Sequence, residues 1–401
     1  MMTFLRQTSY PILFLLLLVP SKGWIDANLF QANTLITLVL ALNLFFLRNS
    51  FAEYFRDLRN ANSLHIDIII FISLFAHFVM SQSFNIFALS FLIIYVLSRL
   101  IWINFNKLEE QKKILNAIIF FGCILIFSVL CGLLEIATLK TNIFSSINTE
   151  NYPNPIAKFF NHSKGMYYSY NATAYSLAFF YCSLSIIFND SRYVVFLKRI
   201  TLLTLFLTQA KFAYFFIISL FFIKVFDKSN KWQVFSALII IVIAYMSVSH
   251  LAFGFSNTVF EDEKYYYSVI YQIEDFSIYL SLFSELKYKS IEFLAYIDLL
   301  KPDLRDLHVF LGNSEPHNLF ISAYFFGGIF FLCALSFLIF KALGRSIYHI
   351  RKRQNSISID FYLLFILLVV ESLVWDSYDS LIFLLVLTFV NSDFRYTKVT
   401  S

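Results

Sequence analysis

The chain has 401 residues, is 59% hydrophobic and only 14% charged, and carries a net charge of +5; its mean hydropathy is +0.70. That leaves too little polar side chain to coat a water-soluble globule of this size, so lipid is the solvent that fits. The bases are dispersed over short segments, which excludes nucleic acid as a partner, and the four cysteines lack the spacing of a zinc or iron–sulfur site.

In a bilayer every backbone polar group needs an internal partner, and apolar runs near 18 residues without strict alternation select helices over a closed barrel. In chain order the runs predict spans at 9–21, 31–47, 64–81, 85–104, 114–136, 171–188, 200–224, 232–253, 317–341, 359–374 and 380–392. The first follows Arg6 and lacks a small-x-small cleavage site, so it reads as a true helix and not a signal peptide. Cys123, Cys131, Cys182 and Cys333 fall inside these runs and read as small core residues.

Charge fixes the predicted orientation. With the N-terminus in the cytoplasm, Arg48, Arg56 and Arg59, then Lys107, Lys112 and Lys113, then Arg192, Lys198 and Arg199 fall inside, as the positive-inside rule prefers. A single crossing at 200–224 would put the strongest basic loop, Lys341, Arg345, Arg351, Lys352 and Arg353, on the wrong side. A hairpin that turns near Thr208-Gln209-Ala210-Lys211 returns those residues, and the C-terminal Arg395 and Lys398, to the cytoplasm. An arm from Thr201 to Gln209 rises only about 14 Å unless its helix starts earlier, so the tip is expected in a protein-lined cavity. The expected fold is an all-α polytopic integral membrane protein of about 12 transmembrane segments, one domain over 1–401. Segments 137–170 and 254–316 face outward, the second being a large acidic loop with helices, inserted between spans.

Lys211 stands alone in the most apolar stretch, Leu202 to Phe222. An ammonium there is either a lysine snorkelling to the outer interface or a fixed cation for a lipid-linked phosphate. In Gly312-Asn313-Ser314-Glu315-Pro316-His317-Asn318-Leu319-Phe320, Ser314 as N-cap and Pro316 in the first turn predict a helix start at the outer face. The positive end of that helix favours neutral imidazole at His317 and a bound phosphate beside it; the plainer reading is a histidine hydrogen-bonded within a cap. Lys289 and Arg305 are cations of the acidic loop, suited to ligand or to surface ion pairs. Tyr265, Tyr266, Tyr267 and Tyr271 suit sugar faces or the loop's own core. No Asp-x-Asp pair occurs and Asp26 is the only acid in the first outer loop, which argues against a metal-assisted sugar transfer.

Pro316-His317-Asn318-Leu319-Phe320 through Gly327-Gly328 resembles the His-Asn-x-x-Leu…Gly signature of the O-antigen ligase and O-antigen polymerase (Wzy-type) superfamily. Leu207-Thr208-Gln209-Ala210-Lys211 resembles its Thr-x-Ser-Arg turn, Tyr168 to Ala174 its Asn-Pro-Asn-x-x-Ala helix entry, and Lys289 to Phe293 its Arg-x-x-x-aromatic loop segment. The likeness spans roughly 165–345 in consistent order, whereas the N-terminal helices match in topology alone. Lys211 and Lys289 stand where the family favours arginine, and lysine cannot form arginine's planar fork to phosphate.

The resemblance implies a metal-independent, cofactor-free glycosyl transfer at the periplasmic face of the bacterial inner membrane. The donor and acceptor are undecaprenyl-pyrophosphate-linked oligosaccharides of lipopolysaccharide or capsule synthesis, and a chain-length regulator is a partner. It implies His317 and Lys211 as catalytic residues, with Lys289, Arg305, Asn318, Asn171 and Lys164 binding substrate. Degenerate motifs and replaced arginines favour a polymerase. A ligase acting on lipid A core and a polysaccharide flippase are the alternatives; the flippase is disfavoured because no repeated halves are visible.

Overall fold

The computed structural model describes residues 68–72, 75, 86–105, 107–138, 145–146, 162–163, 165, 170–187, 192–208, 210–225, 319–352, 359–372 and 381–391. Expected spans 9–21, 31–47 and 232–253 lie outside the described residues, and of 64–81 the described positions are helical. The remaining runs form α1 (Ile86–Phe105), α2 (Leu108–Thr138), α3 (Tyr170–Ile187), α4 (Arg192–Leu207), α5 (Lys211–Val225), α6 (Leu319–Lys352), α7 (Ile359–Ser372) and α8 (Leu381–Asn391). Between α2 and α3 lies a two-residue antiparallel pair, β1 (Ser145–Ser146) and β2 (His162–Ser163). The described chain is otherwise helical, and Glu110–Ala137 and Ile329–Arg351 are long and apolar enough to cross a membrane.

The sequence makes α7 and α8 apolar on every side, so they can only sit in the centre of the bundle. Nearly all their described residues are buried. The outer helices present large apolar side chains outward, among them Phe127 and Leu134 of α2, Leu203 and Phe206 of α4, Phe221 of α5 and Phe337 of α6. Such surfaces suit a lipid solvent and not water. Of the cysteines read as core, only Cys182 is buried; Cys123 and Cys333 are exposed on helix faces, because a place in an apolar run does not tell which face of the helix meets protein.

Side-chain contacts fix which ends of the helices lie together. Near the end of α1, Trp102 Nε1–H donates to Leu385 O of α8 at 2.8 Å and packs edge-on against Phe389 and Phe361. Only two residues join α1 to α2, so α2 starts at that same end. α3 runs opposite to α2, since Thr173 lies beside Gly165 and Val129 while Phe180 lies against Gly122. α7 runs opposite to α3: Ser185 Oγ donates to Asp360 Oδ2 at 2.7 Å near the start of α7, and Tyr175 to Glu371 near its finish. α6 finishes beside α7's start, where His349 stacks on Tyr362 at 4.7 Å, and Arg345 donates to Asn391 O at 3.3 Å.

The expected hairpin exists. α4 follows α3 after a short connection and packs along it, so it runs antiparallel. α5 runs parallel to α3, because Phe212 meets Tyr175 and Phe216 meets Tyr181 in the same order. Its arms are longer than expected from Thr201: α4 has 16 residues and α5 has 15, about 24 and 22 Å. The difference arises because Arg192, Lys198 and Arg199, expected in a loop, lie on the first turns of α4. Lys341, Arg345, Arg351 and Lys352 are likewise helical, on the last turns of α6. Long basic side chains reach water from a helix end, so charge marks an interface and not a helix boundary.

α6 departs from a straight crossing. The rings of Phe320 and Phe340 stack 6.3 Å apart, against the roughly 30 Å that a straight helix puts between these positions. Phe320 also shares an apolar recess with Leu332, Cys333, Ser336 and Phe337, so the helix turns back on itself before Leu332, in the stretch holding Gly327-Gly328. A glycine pair is where such a bend is expected. The first described arm therefore lies alongside the second, whereas the sequence predicts one straight span over 317–341.

Candidate functional site

One end of the bundle gathers the charge. Lys107 lies in the link between α1 and α2, and Arg99, Lys112, Lys113, Arg192, Lys198, Arg199, Lys224, Lys341, Arg345, Arg351 and Lys352 belong to the halves of their helices that meet there. Among the described residues Lys211 is the one base at the opposite end, as the first residue of α5.

That opposite end is built from the hairpin tip, the first turns of α3 and the last turn of α7. At the tip, Thr208 N–H is shared between Thr204 O at 3.1 Å and Leu205 O at 3.2 Å, which closes α4. Its hydroxyl donates to Leu205 O at 2.7 Å and accepts from Ala210 N–H at 3.4 Å, and Ala210 O accepts Tyr214 N–H to open α5. Thr208 and Ala210 are fully buried, so protein encloses the tip. A hydroxyl suits this place because it links the end of one helix to the start of the next without bringing a charge.

Asn171, in the first turn of α3, is buried, and Tyr175 stands one turn further along the same face. The Tyr175 ring packs edge-on against Phe212 at 4.6 Å, and its hydroxyl donates to Glu371 Oε1 at 3.2 Å. Phe212 stacks on Phe216, continuing an aromatic seam that seats α5 against α3. Asn171 and Lys211, two of the residues singled out in the sequence, are thus held at one end of the bundle through the Tyr175–Phe212 contact.

The β pair roofs the neighbouring part of this end. Ser145 Oγ donates to Glu135 Oε2 at 2.9 Å, and Ser163 Oγ to Val129 O at 2.8 Å. Gly165 has φ +58°, and a Cβ there would lie 2.9 Å from Ser128 Oγ. Lys164 lies outside the described residues, but its neighbours Ser163 and Gly165 are tied to α2 close to Thr173. His317, Asn318, Lys289 and Arg305 also lie outside the described residues.

Glu371 and Tyr175 were not among the expected site residues. Glu371 is an acid well inside the apolar run 359–374, whose other acid, Asp360, stands at its start; a charge within an apolar run is the same signal that singles out Lys211. Comparison with protein-family models and with curated proteins yields no match.

Proposed function

We propose that this chain polymerises undecaprenyl-pyrophosphate-linked repeat units at the outer face of the bacterial inner membrane. In this reading the chain crosses about 12 times with both termini in the cytoplasm. One residue carries the proposal: Lys211, among the described residues the one lysine or arginine at the hairpin end, opens α5 at the end that also holds buried Asn171 and the hydrogen-bonded Tyr175–Glu371 pair. Such an arrangement suits a lipid-linked anion that approaches from the outer leaflet.

The chemistry assigns roles. As the anomeric C–O bond breaks, charge gathers on the departing pyrophosphate, and fixed cations and free helix N–H groups stabilise it. Lys211 is the principal pyrophosphate cation, Lys289, Arg305 and Lys164 are secondary cations, and Asn171 and Asn318 orient the donor. His317 acts as base or phosphate contact, which requires the segment before Leu319 to lead back to the hairpin end, because the reversal of α6 sets Phe320 beside Phe340. The chain-length regulator would act on this same outer face.

Deleting the gene and separating the surface polysaccharide on a gel tests the proposal. A single capped repeat supports a polymerase. Loss of any cap transfers the protein to the ligase or flippase class, and an unchanged ladder refutes all three.

A further inference from the structure

Glu371 lies in the last turn of α7, a helix buried on nearly every side. A carboxylate is disfavoured there twice over: apolar surroundings cost it hydration, and the negative end of the helix dipole repels it. A leucine would stabilise the helix better, so packing alone does not account for an acid. Tyr175 is 4% exposed and wedged against Phe212, which fixes the direction of the hydroxyl it donates to Glu371. Glu371 itself is only partly buried, so the residue is not sealed in the core. A buried donor oriented onto that carboxylate holds it at a fixed angle.

We infer that Glu371 accepts the proton of the incoming sugar hydroxyl, with Tyr175 as the positioning residue that orients it; this rests on the polymerase reading above. In the step, the acceptor oxygen forms a bond to the donor's anomeric carbon and the anomeric bond to pyrophosphate breaks. The electron pair leaves with undecaprenyl pyrophosphate, and the hydroxyl proton passes to the Glu371 carboxylate and then to water at the outer face. His317 then serves the phosphate and not the proton.

The test compares Glu371→Gln, Glu371→Asp and Tyr175→Phe in the full-length protein. Binding of undecaprenyl pyrophosphate is measured in nanodiscs, and elongation by the polysaccharide ladder in cells lacking the native gene. Glu371→Gln is expected to bind the lipid within about twofold of wild type while elongation falls by about 100-fold or more. Glu371→Asp regains part of the rate, and Tyr175→Phe slows elongation by about tenfold with binding unchanged. A normal ladder from Glu371→Gln, or binding and elongation lost in proportion, overturns the inference. Should Glu371→Gln fail to reach the membrane, Tyr175→Phe decides, and a normal ladder from it overturns the inference equally. Wild-type protein that neither binds undecaprenyl pyrophosphate nor lengthens glycan removes the polymerase reading itself, and this inference with it.

Discussion

The two ends of the bundle differ in what their polar groups do. At the basic end most lysines and arginines ride on exposed or half-exposed positions, with Lys113 paired to Glu110 of its own helix at 2.9 Å, while Ser185 with Asp360 and Arg345 with a carbonyl of Asn391 join neighbouring helices. At the hairpin end the described charges are fewer and the polar groups are inside, with Asn171 and Thr208 buried and Tyr175 bonded to Glu371 across helices. Many dispersed charges suit an interface where each is individually replaceable. Few enclosed polar groups, brought together from three helices, suit a site.

The comparison breaks most sharply at Lys211. Lys211→Glu reverses the charge that opens α5 at the hairpin end, and elongation is expected to fall by about 100-fold or more while membrane abundance holds. A lysine that merely snorkels would leave the gel ladder unchanged. Gly122→Ala, remote from both ends, tests the packing that joins them. The added methyl would meet the Phe180 ring at 2.2 Å, and the overpacking should cost about 1–3 kcal/mol, read as a lower unfolding midpoint in detergent. Thr208→Val removes the hydroxyl that bridges Leu205 O and Ala210 N–H, a loss of about 1 kcal/mol, visible as easier proteolysis at the tip. Arg351→Gln at the basic end is the smallest: elongation should stay within about twofold of wild type, because exposed charges contribute little singly.

The sequence carries the number and order of the described apolar helices well, because period and length alone define them. It also carries the hairpin, since the positive-inside rule applied to Lys341 through Lys352 predicts a turn near Thr208 to Lys211, where α4 ends and α5 starts. Helix limits were less legible: Arg192 to Arg199 and Lys341 to Lys352 read as loops by charge, yet each belongs to the helix that carries it. The reversal of α6 was hidden for another reason. Gly327-Gly328 reads as part of a motif, and nothing local says that Phe320 and Phe340 will meet. Asn171 and Lys211 were singled out from residue type, whereas Glu371 matters through Tyr175, a partner nearly two hundred positions away.

The arms of the hairpin set a depth. In the proposed orientation, with Arg192 at the inner headgroups, α4's 16 residues lift the tip by about 24 Å, roughly one helical turn short of a hydrocarbon layer of about 30 Å. In the proposed function, a phosphate riding at the outer headgroup plane would have to sink below it to meet Thr208 and Lys211, or the leaflet would have to pucker inward around the protein. Bilayer thickness then becomes a control on turnover, with thin membranes bringing the headgroup to the tip and thick ones holding it away.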